Sequence, residues 1–171
     1  MSSIRPLHDF PEIIRPNTRL AALDIGTKTI GIALSSPDWS SATPFVTPLA
    51  TITRSKWNND LAALDKALQG YDIGGVIIGL PYHMDGSEGP RAQGVKQVVF
   101  NIIKAAPAWL GDCPIAFVDE RLSTAGAMDL TEHHKNSKAA KKSGAIDALA
   151  AQLILEKALV ELRLSRKDNA S

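Results

Sequence analysis

Three carboxylates stand where apolar sequence gives way to a turn or to the start of a helix: Asp24, Glu120 and Asp147. Asp24 is the most telling, because it interrupts the run Leu20-Ala21-Ala22-Leu23-Asp24-Ile25, where leucine or valine would carry no penalty. A carboxylate withdrawn from water needs a hydrogen-bond network or a cation to offset its desolvation, so Asp24 is expected to be a metal ligand. Several carboxylates sharing two divalent cations about 3.5–4 Å apart can activate a water and steady the leaving oxygen of a phosphodiester. Magnesium keeps several waters and takes phosphate oxygens from its substrate, so a sparse acidic set suffices. The implied chemistry is metal-dependent phosphodiester hydrolysis with Mg2+ or Mn2+ at a two-metal site. Each acid also has a plainer role open to it. Asp147 could complement a helix dipole, worth about 0.3–1 kcal/mol, although small Ala148, Ala150 and Ala151 would let that helix end lie close to a sheet. Glu120, in Asp119-Glu120-Arg121, could be half of a surface ion pair.

Groups suited to phosphate lie nearby in the chain. Gly26-Thr27-Lys28 follows Asp24 directly and offers successive backbone N–H groups, a hydroxyl and an ammonium, the ingredients of an anion-binding nest. Between Glu132 and Asp147 the chain carries Lys135, Lys138, Lys141 and Lys142 with no acid, so these lysines could gather phosphates over the site. His133 and His134 are adjacent, and neighbours on a helix point apart, so they are not read as ligands.

These residues need a scaffold. The segments Leu20 to Ile25 and Ile30 to Ser35 flank a short glycine-containing polar connection and predict a hairpin. A third strand is expected over Pro48 to Thr53, then a helix from an N-cap at Ser55 to about Leu68, with Trp57, Leu61, Leu64 and Leu68 on one face. Ile73 to Leu80 is apolar without alternation, as in a parallel strand covered on both faces. A loop with Asp85, Gly86, Glu88 and Gly89 leads to a helix near Arg91 to Ala105, a strand over Pro114 to Val118, and two closing helices, roughly Thr124 to His133 and Ser143 to Leu164. The order β-β-β-α-β-α-β-α-α is that of an α/β ribonuclease-H-like fold, with a five-stranded mixed sheet expected in the order 3-2-1-4-5. Residues 1–18, with Pro6, Pro11 and Pro16, read as a flexible amino-terminal arm outside the domain at 19–164, and residues 165–171 as a polar tail.

Composition narrows the setting. The 171 residues are 44% hydrophobic, enough for one domain with a real core. A net charge of +1 means that a nucleic acid would be held by a local basic patch rather than by the whole surface. The single cysteine, Cys113, excludes an internal disulfide framework and suits a reducing cytoplasm. No window approaches the roughly 18 consecutive apolar residues of a membrane span, so no membrane partner is expected.

Several blocks together resemble the YqgF family, the bacterial Holliday-junction-resolvase-like proteins. They are Leu23 to Ser35, Gly79-Leu80-Pro81 with Met84 to Ala92, Asp119 to Thr124, and Lys141-Lys142 to Asp147-Ala148. The resemblance covers about Leu20 to Leu162. It implies a ribonuclease-H-like nuclease that matures the 5′ end of the pre-16S ribosomal RNA, with resolution of branched DNA as an older suggestion. By position it implies Asp24, Glu120 and Asp147 as the catalytic and metal-binding set. Thr27, Lys28, Arg91, Arg121, Lys138, Lys141 and Lys142 are then the expected contacts to structured RNA or branched DNA, made by a monomer or homodimer.

One departure is visible. In many ribonuclease-H-like enzymes the second acid ends the fourth strand, beside the first, whereas here that strand ends in Gly79-Leu80-Pro81. With strands about 4.8 Å apart, Glu120 begins two strand spacings from Asp24 and must lean inward or act through water. Asp85 and Glu88 are its rivals. Two other classes stay open: a nucleic-acid-binding ribosome-assembly module that does not cut, and an actin-like nucleotide-binding protein, since Asp24-Ile25-Gly26-Thr27 also resembles that superfamily's first phosphate motif.

Overall fold

A computed structural model describes residues 2–122 and 145–170. The helix expected at Thr124 to His133, and Lys138, Lys141 and Lys142, lie outside the described residues. Strands β1 (Arg19–Ile25), β2 (Thr29–Ser35), β3 (Val46–Thr53), β4 (Ile73–Leu80) and β5 (Ile115–Asp119) form one sheet in the order β3-β2-β1-β4-β5. The hairpin β1–β2 and the pair β2–β3 are antiparallel, while β1–β4 and β4–β5 are parallel. This is the expected mixed sheet. Every residue of β4 is buried, as its unbroken apolar run requires of a central parallel strand.

Alternation along the strands divides the core into two layers. Ala21, Leu23 and Ile25 of β1, with Ile30 and Ile32 of β2 and Val76 and Ile78 of β4, face Leu64 and Leu68 of α2 (Trp57–Leu68) and Val95, Val98 and Ile102 of α3 (Pro90–Ala105). Leu20, Ala22, Ala33 and Ile77 face the other way, against Ala151, Ile154, Leu155 and Ala158 of the closing helix, which runs Ala145–Ala170. Asp24 shares the parity of Leu20 and Ala22 and therefore opens on the side of the closing helix.

Three expectations need correction. The helix α2 is not capped by Ser55: its N-cap is Lys56, without a side-chain cap, and the Ser55 backbone N–H donates instead to Asp60 Oδ1 at 2.7 Å. Asp60 is 2% exposed and also faces Arg54 Nε at 3.6 Å. The amino-terminal residues do not stand apart from the domain. A short helix, α1 (Phe10–Ile13), buries Phe10 completely, Leu7 and Ile14 pack beside it, and backbone bonds from Arg5 N to Ile115 O and from Ile115 N to Ser3 O lay the chain along β5. The prolines bend this segment, but its apolar side chains still find the layer of the closing helix. That helix, α4 (Ala145–Ala170), runs through the supposed polar tail, where Arg166 lies 5.6 Å from the centre of the Trp39 ring and donates to Ser40 O at 2.9 Å. Among the described residues no helix is long and apolar enough to cross a membrane.

Candidate active site

Asp24 pairs with Gly31 of β2, and the parallel ladder with β4 carries Leu23 opposite Ile78, so Gly79 is the next residue of β4 on the other side of Asp24. Both neighbours of the acid are glycines, and each is required by what lies above it. A Cβ at Gly31 would sit 2.0 Å from the carbonyl oxygen of Asp147 and 3.1 Å from the backbone nitrogen of Ala148. Only a bare backbone lets the start of α4 settle on β2 this closely, and Asp147 is thereby set beside Asp24. A Cβ at Gly79 would meet Glu120 Oε1 at 2.5 Å, Glu120 Cγ at 3.0 Å and Ile154 Cδ1 at 2.5 Å.

This resolves the distance that the sequence left open. Gly79 pairs with Val118 of β5, and a 3-10 turn over Glu120–Leu122 folds the chain back at the strand's end. Glu120 then crosses β4 through the space left by the missing side chain of Gly79 and reaches Asp24, with which it shares a side-chain hydrogen bond. Burial, and then the charge of Asp24, push the Glu120 carboxyl up to about 7. Burial thus favours a proton held between the two carboxyls. Asp24 is itself raised by burial and by the charge of Asp147, against the lowering effects of the Glu120 hydrogen bond and of Arg91. The positive charge of Arg91 favours the ionised form of both acids.

The other candidates fall into place around this pair. Asp85 Oδ1 accepts from the backbone N–H of Ser87 at 2.9 Å and from its hydroxyl at 2.6 Å, which holds the Asp85 carboxyl below the usual range. Glu88 is paired with Lys96 at 2.5 Å. Both rivals are thus engaged within their own loop and helix, and the groups acting most strongly on Asp24 are Glu120, Asp147 and Arg91. Arg121, expected at a phosphate, is committed elsewhere. It grips Asp119 through Nε and Nη2, with a shortest contact of 2.6 Å, and its Nη1 donates to the carbonyls of His83 and Met84. It therefore ties the loop after β4 to the end of β5. Thr27 and Lys28 are exposed at the β1–β2 turn, which Arg54 braces through its Nη1 donating to Gly26 O at 2.7 Å and its backbone N–H donating to Lys28 O at 2.8 Å. Sequence reading overlooked Gly31, Gly79 and the bracing Arg54. A glycine inside an apolar strand does signal a close approach, but it does not say what approaches.

Among the described residues no three His, Cys, Asp or Glu side chains are grouped so as to hold a cation. The Asp24–Glu120 pair nevertheless fits a hard divalent ion. Two oxygen donors converge, both with carboxyls raised by burial, and magnesium takes one or two carboxylates with water and phosphate completing its shell.

Residues 18–161 match the family model of RuvX, described as Holliday junction resolvase. This chain belongs to the RuvX family. Relatives named "Putative pre-16S rRNA nuclease" include one from Phenylobacterium zucineum (strain HLK1), 39% identical over 92% of this chain and 96% of its own. Another, from Chelativorans sp. (strain BNC1), is 45% identical over 87% of each chain. Among solved structures, T. thermophilus RuvC in complex with Holliday junction substrate superposes with a TM-score of 0.53 at 12% identity, covering 85% of this chain and 96% of that one. The RuvX chain thus has the ribonuclease-H-like fold of the RuvC resolvases, and its relatives are named as nucleases.

Proposed function

We propose that this RuvX chain is a divalent-metal-dependent endonuclease that trims the 5′ end of the pre-16S ribosomal RNA in the cytoplasm. The observation that carries the reading is the Glu120 carboxyl, laid across side-chain-free Gly79 against Asp24. Asp24 and Glu120 would hold Mg2+ or Mn2+, and Asp147, not grouped with them as a ligand here, would act from α4 through its charge on Asp24. A bound divalent ion supplies Lewis-acid activation of water and neutralises charge developing on the phosphodiester. The residues themselves contribute in three ways. Glu120, its carboxyl raised by burial, would serve the ion in its ionised form. Arg91 offsets the negative charge of the pair and would meet a phosphate. Thr27 and Lys28 at the β1–β2 turn, with Lys138, Lys141 and Lys142 from outside the described residues, contact flanking phosphates. The fully buried strand β4 and the close seat of α4 fix the acids on rigid elements. Cys113, the single cysteine, is buried and pushed up to about 11 by desolvation, a thiol with no part in the chemistry.

The test compares wild type with Asp24→Asn on precursor RNA carrying its 5′ extension, after contaminating ribonucleases have been removed. Metal-dependent shortening by wild type and its loss in the variant are expected, and equal cleavage by both would eliminate the site. A second reading, resolution of branched DNA, draws on the family's description as a resolvase. It requires a homodimer and paired symmetric nicks on a four-way junction, and a monomer that leaves such junctions intact would remove it.

A further inference from the structure

A second feature begins one residue beyond Asp24 and points away from it. Ile25 faces the layer of α2 and α3, and there Gly26 and Thr27 on one side and α3 on the other enclose a groove of about 500 Å3. Its polar lining comes from Thr27, Arg54, Arg91, Gln97 and Asn101, and no acid lines it. Another cavity among the described residues, about 440 Å3 around Arg15, includes Asp72 and Asp112 in its wall, so the two differ in the charge they would accept. On α3 the lining residues Arg91, Gly94, Gln97 and Asn101 recur every three or four positions and form one face, about 15 Å long at 1.5 Å per residue. Gln97 Nε2 donates to Asn101 Oδ1 at 3.1 Å, which holds the two amides side by side along this face. Gly94 lies between Arg91 and the amides, and a Cβ there would meet nothing within 4 Å. The face is open where a side chain would ordinarily fill it.

We propose that this groove is the track for a single strand of RNA flanking the scissile phosphate, with Arg91 on its phosphates and the Gln97–Asn101 pair on its bases or ribose, while Arg54, bonded to Gly26 O and facing Asp60, shapes the wall beside the turn. The proposal rests on the nuclease reading for the identity of the strand. A volume of about 500 Å3 lies within the roughly 300–1,000 Å3 of ligand-binding clefts. An acid-free lining with the exposed guanidinium of Arg91 suits a phosphodiester, which arginine can grip with two parallel donors. Arg91 joins the two regions, since its charge also acts on Asp24 and Glu120. A strand leaving the acids would pass over Gly26 and Thr27, turn across the rim of the sheet and run along α3. In this picture Gly94 provides clearance for the backbone of the strand.

The test is binding of a fluorescein-labelled single-stranded RNA oligonucleotide to the full chain, followed by anisotropy in EDTA so that cleavage plays no part. Gly94→Glu places length and negative charge in the groove without touching the fold, and it exchanges a helix-weakening residue for a good helix former. Gly70→Glu is the matched control, because Gly70 lies outside the groove and its added Cβ also meets nothing within 4 Å. Wild type and Gly70→Glu are expected to bind alike, and Gly94→Glu at least about fivefold more weakly, from lost phosphate contacts and added repulsion. A smaller loss in Gly94→Glu, or no binding by wild type, overturns the proposal. Equal cleavage by wild type and Asp24→Asn would instead defeat the nuclease reading while leaving a Gly94-dependent binding groove in place.

Discussion

Replacing Gly31 by alanine should separate the seat of α4 from everything else that holds the acids together. The added Cβ would lie 2.0 Å from Asp147 O and 2.5 Å from Asp147 C, and both are backbone atoms that cannot rotate aside. Ordinary contact begins near 3.4 Å, so the start of α4 must lift from β2 by more than about 1 Å. Overpacking of this kind costs about 1–3 kcal/mol, and in a domain of this size each kcal/mol lowers Tm by roughly 2–4 °C. The same movement carries Asp147 away from Asp24, and a misplacement of about 1 Å at a reacting centre can cost about 100-fold in rate. Gly79→Ala is the informative partner. Its new methyl meets Glu120 Oε1 and Cγ and Ile154 Cδ1, side-chain atoms that can swing away, so its stability loss should stay below about 1 kcal/mol. Glu120 would nevertheless be driven off Asp24, and metal-dependent cleavage should fall as far as in Gly31→Ala. Thermal melts and single-turnover cleavage of precursor RNA at saturating Mg2+ measure the two effects separately. A Gly31→Ala protein with wild-type Tm and rate would refute the close seat of α4, and a fully active Gly79→Ala protein would refute the role given to Glu120.

Stability should depend on pH through Glu120. Its carboxyl is raised from 4.5 to about 7 in the fold, so between those values the native state keeps a proton that the unfolded chain has lost, and stability falls as pH rises through this window. The shift corresponds to at most about 3 kcal/mol, which solvent at this half-buried group reduces to about 1–2 kcal/mol. Urea melts in EDTA at low and high ends of the window should show that loss in wild type and little of it in Glu120→Gln, and parallel profiles for the two would disprove the shift. Phe10→Ala should cost about 3–5 kcal/mol, because Phe10 is fully buried in the layer of α4. A variant with an unchanged Tm would mean that the amino-terminal segment leaves the sheet in solution.

The sheet was legible because its signals are local and strong. The β1–β2 hairpin is written as two apolar runs around a glycine turn, and β4 as an uninterrupted apolar stretch that only a doubly covered strand explains. Asp24 could be singled out for the same reason, as a charge where the pattern called for a hydrocarbon. What stayed hidden depends on contacts between distant segments. The reach of Glu120 is set by an absent side chain on a neighbouring strand, and nothing within Asp119-Glu120-Arg121 records it. Asp60 displaced Ser55 as the stabiliser of the α2 start by taking the Ser55 N–H from within the helix. Prolines concealed the packing of Phe10, and the polar residues after Leu164 concealed a helix anchored by Arg166 on Trp39.

The backbone bonds that lay Ser3 to Arg5 along Ile115 have a consequence for self-association. Exposed flanks of a sheet invite copies to stack strand on strand, the usual route to swapped or fibrillar aggregates. Here the start of β5, at Ile115, is bridged by the chain's own leading segment, and the opposite flank, β3, carries Pro48, which offers no N–H to a newcomer. Both features hinder a second copy from prolonging the ladder, and removing the leading residues would strip that obstacle from the start of β5.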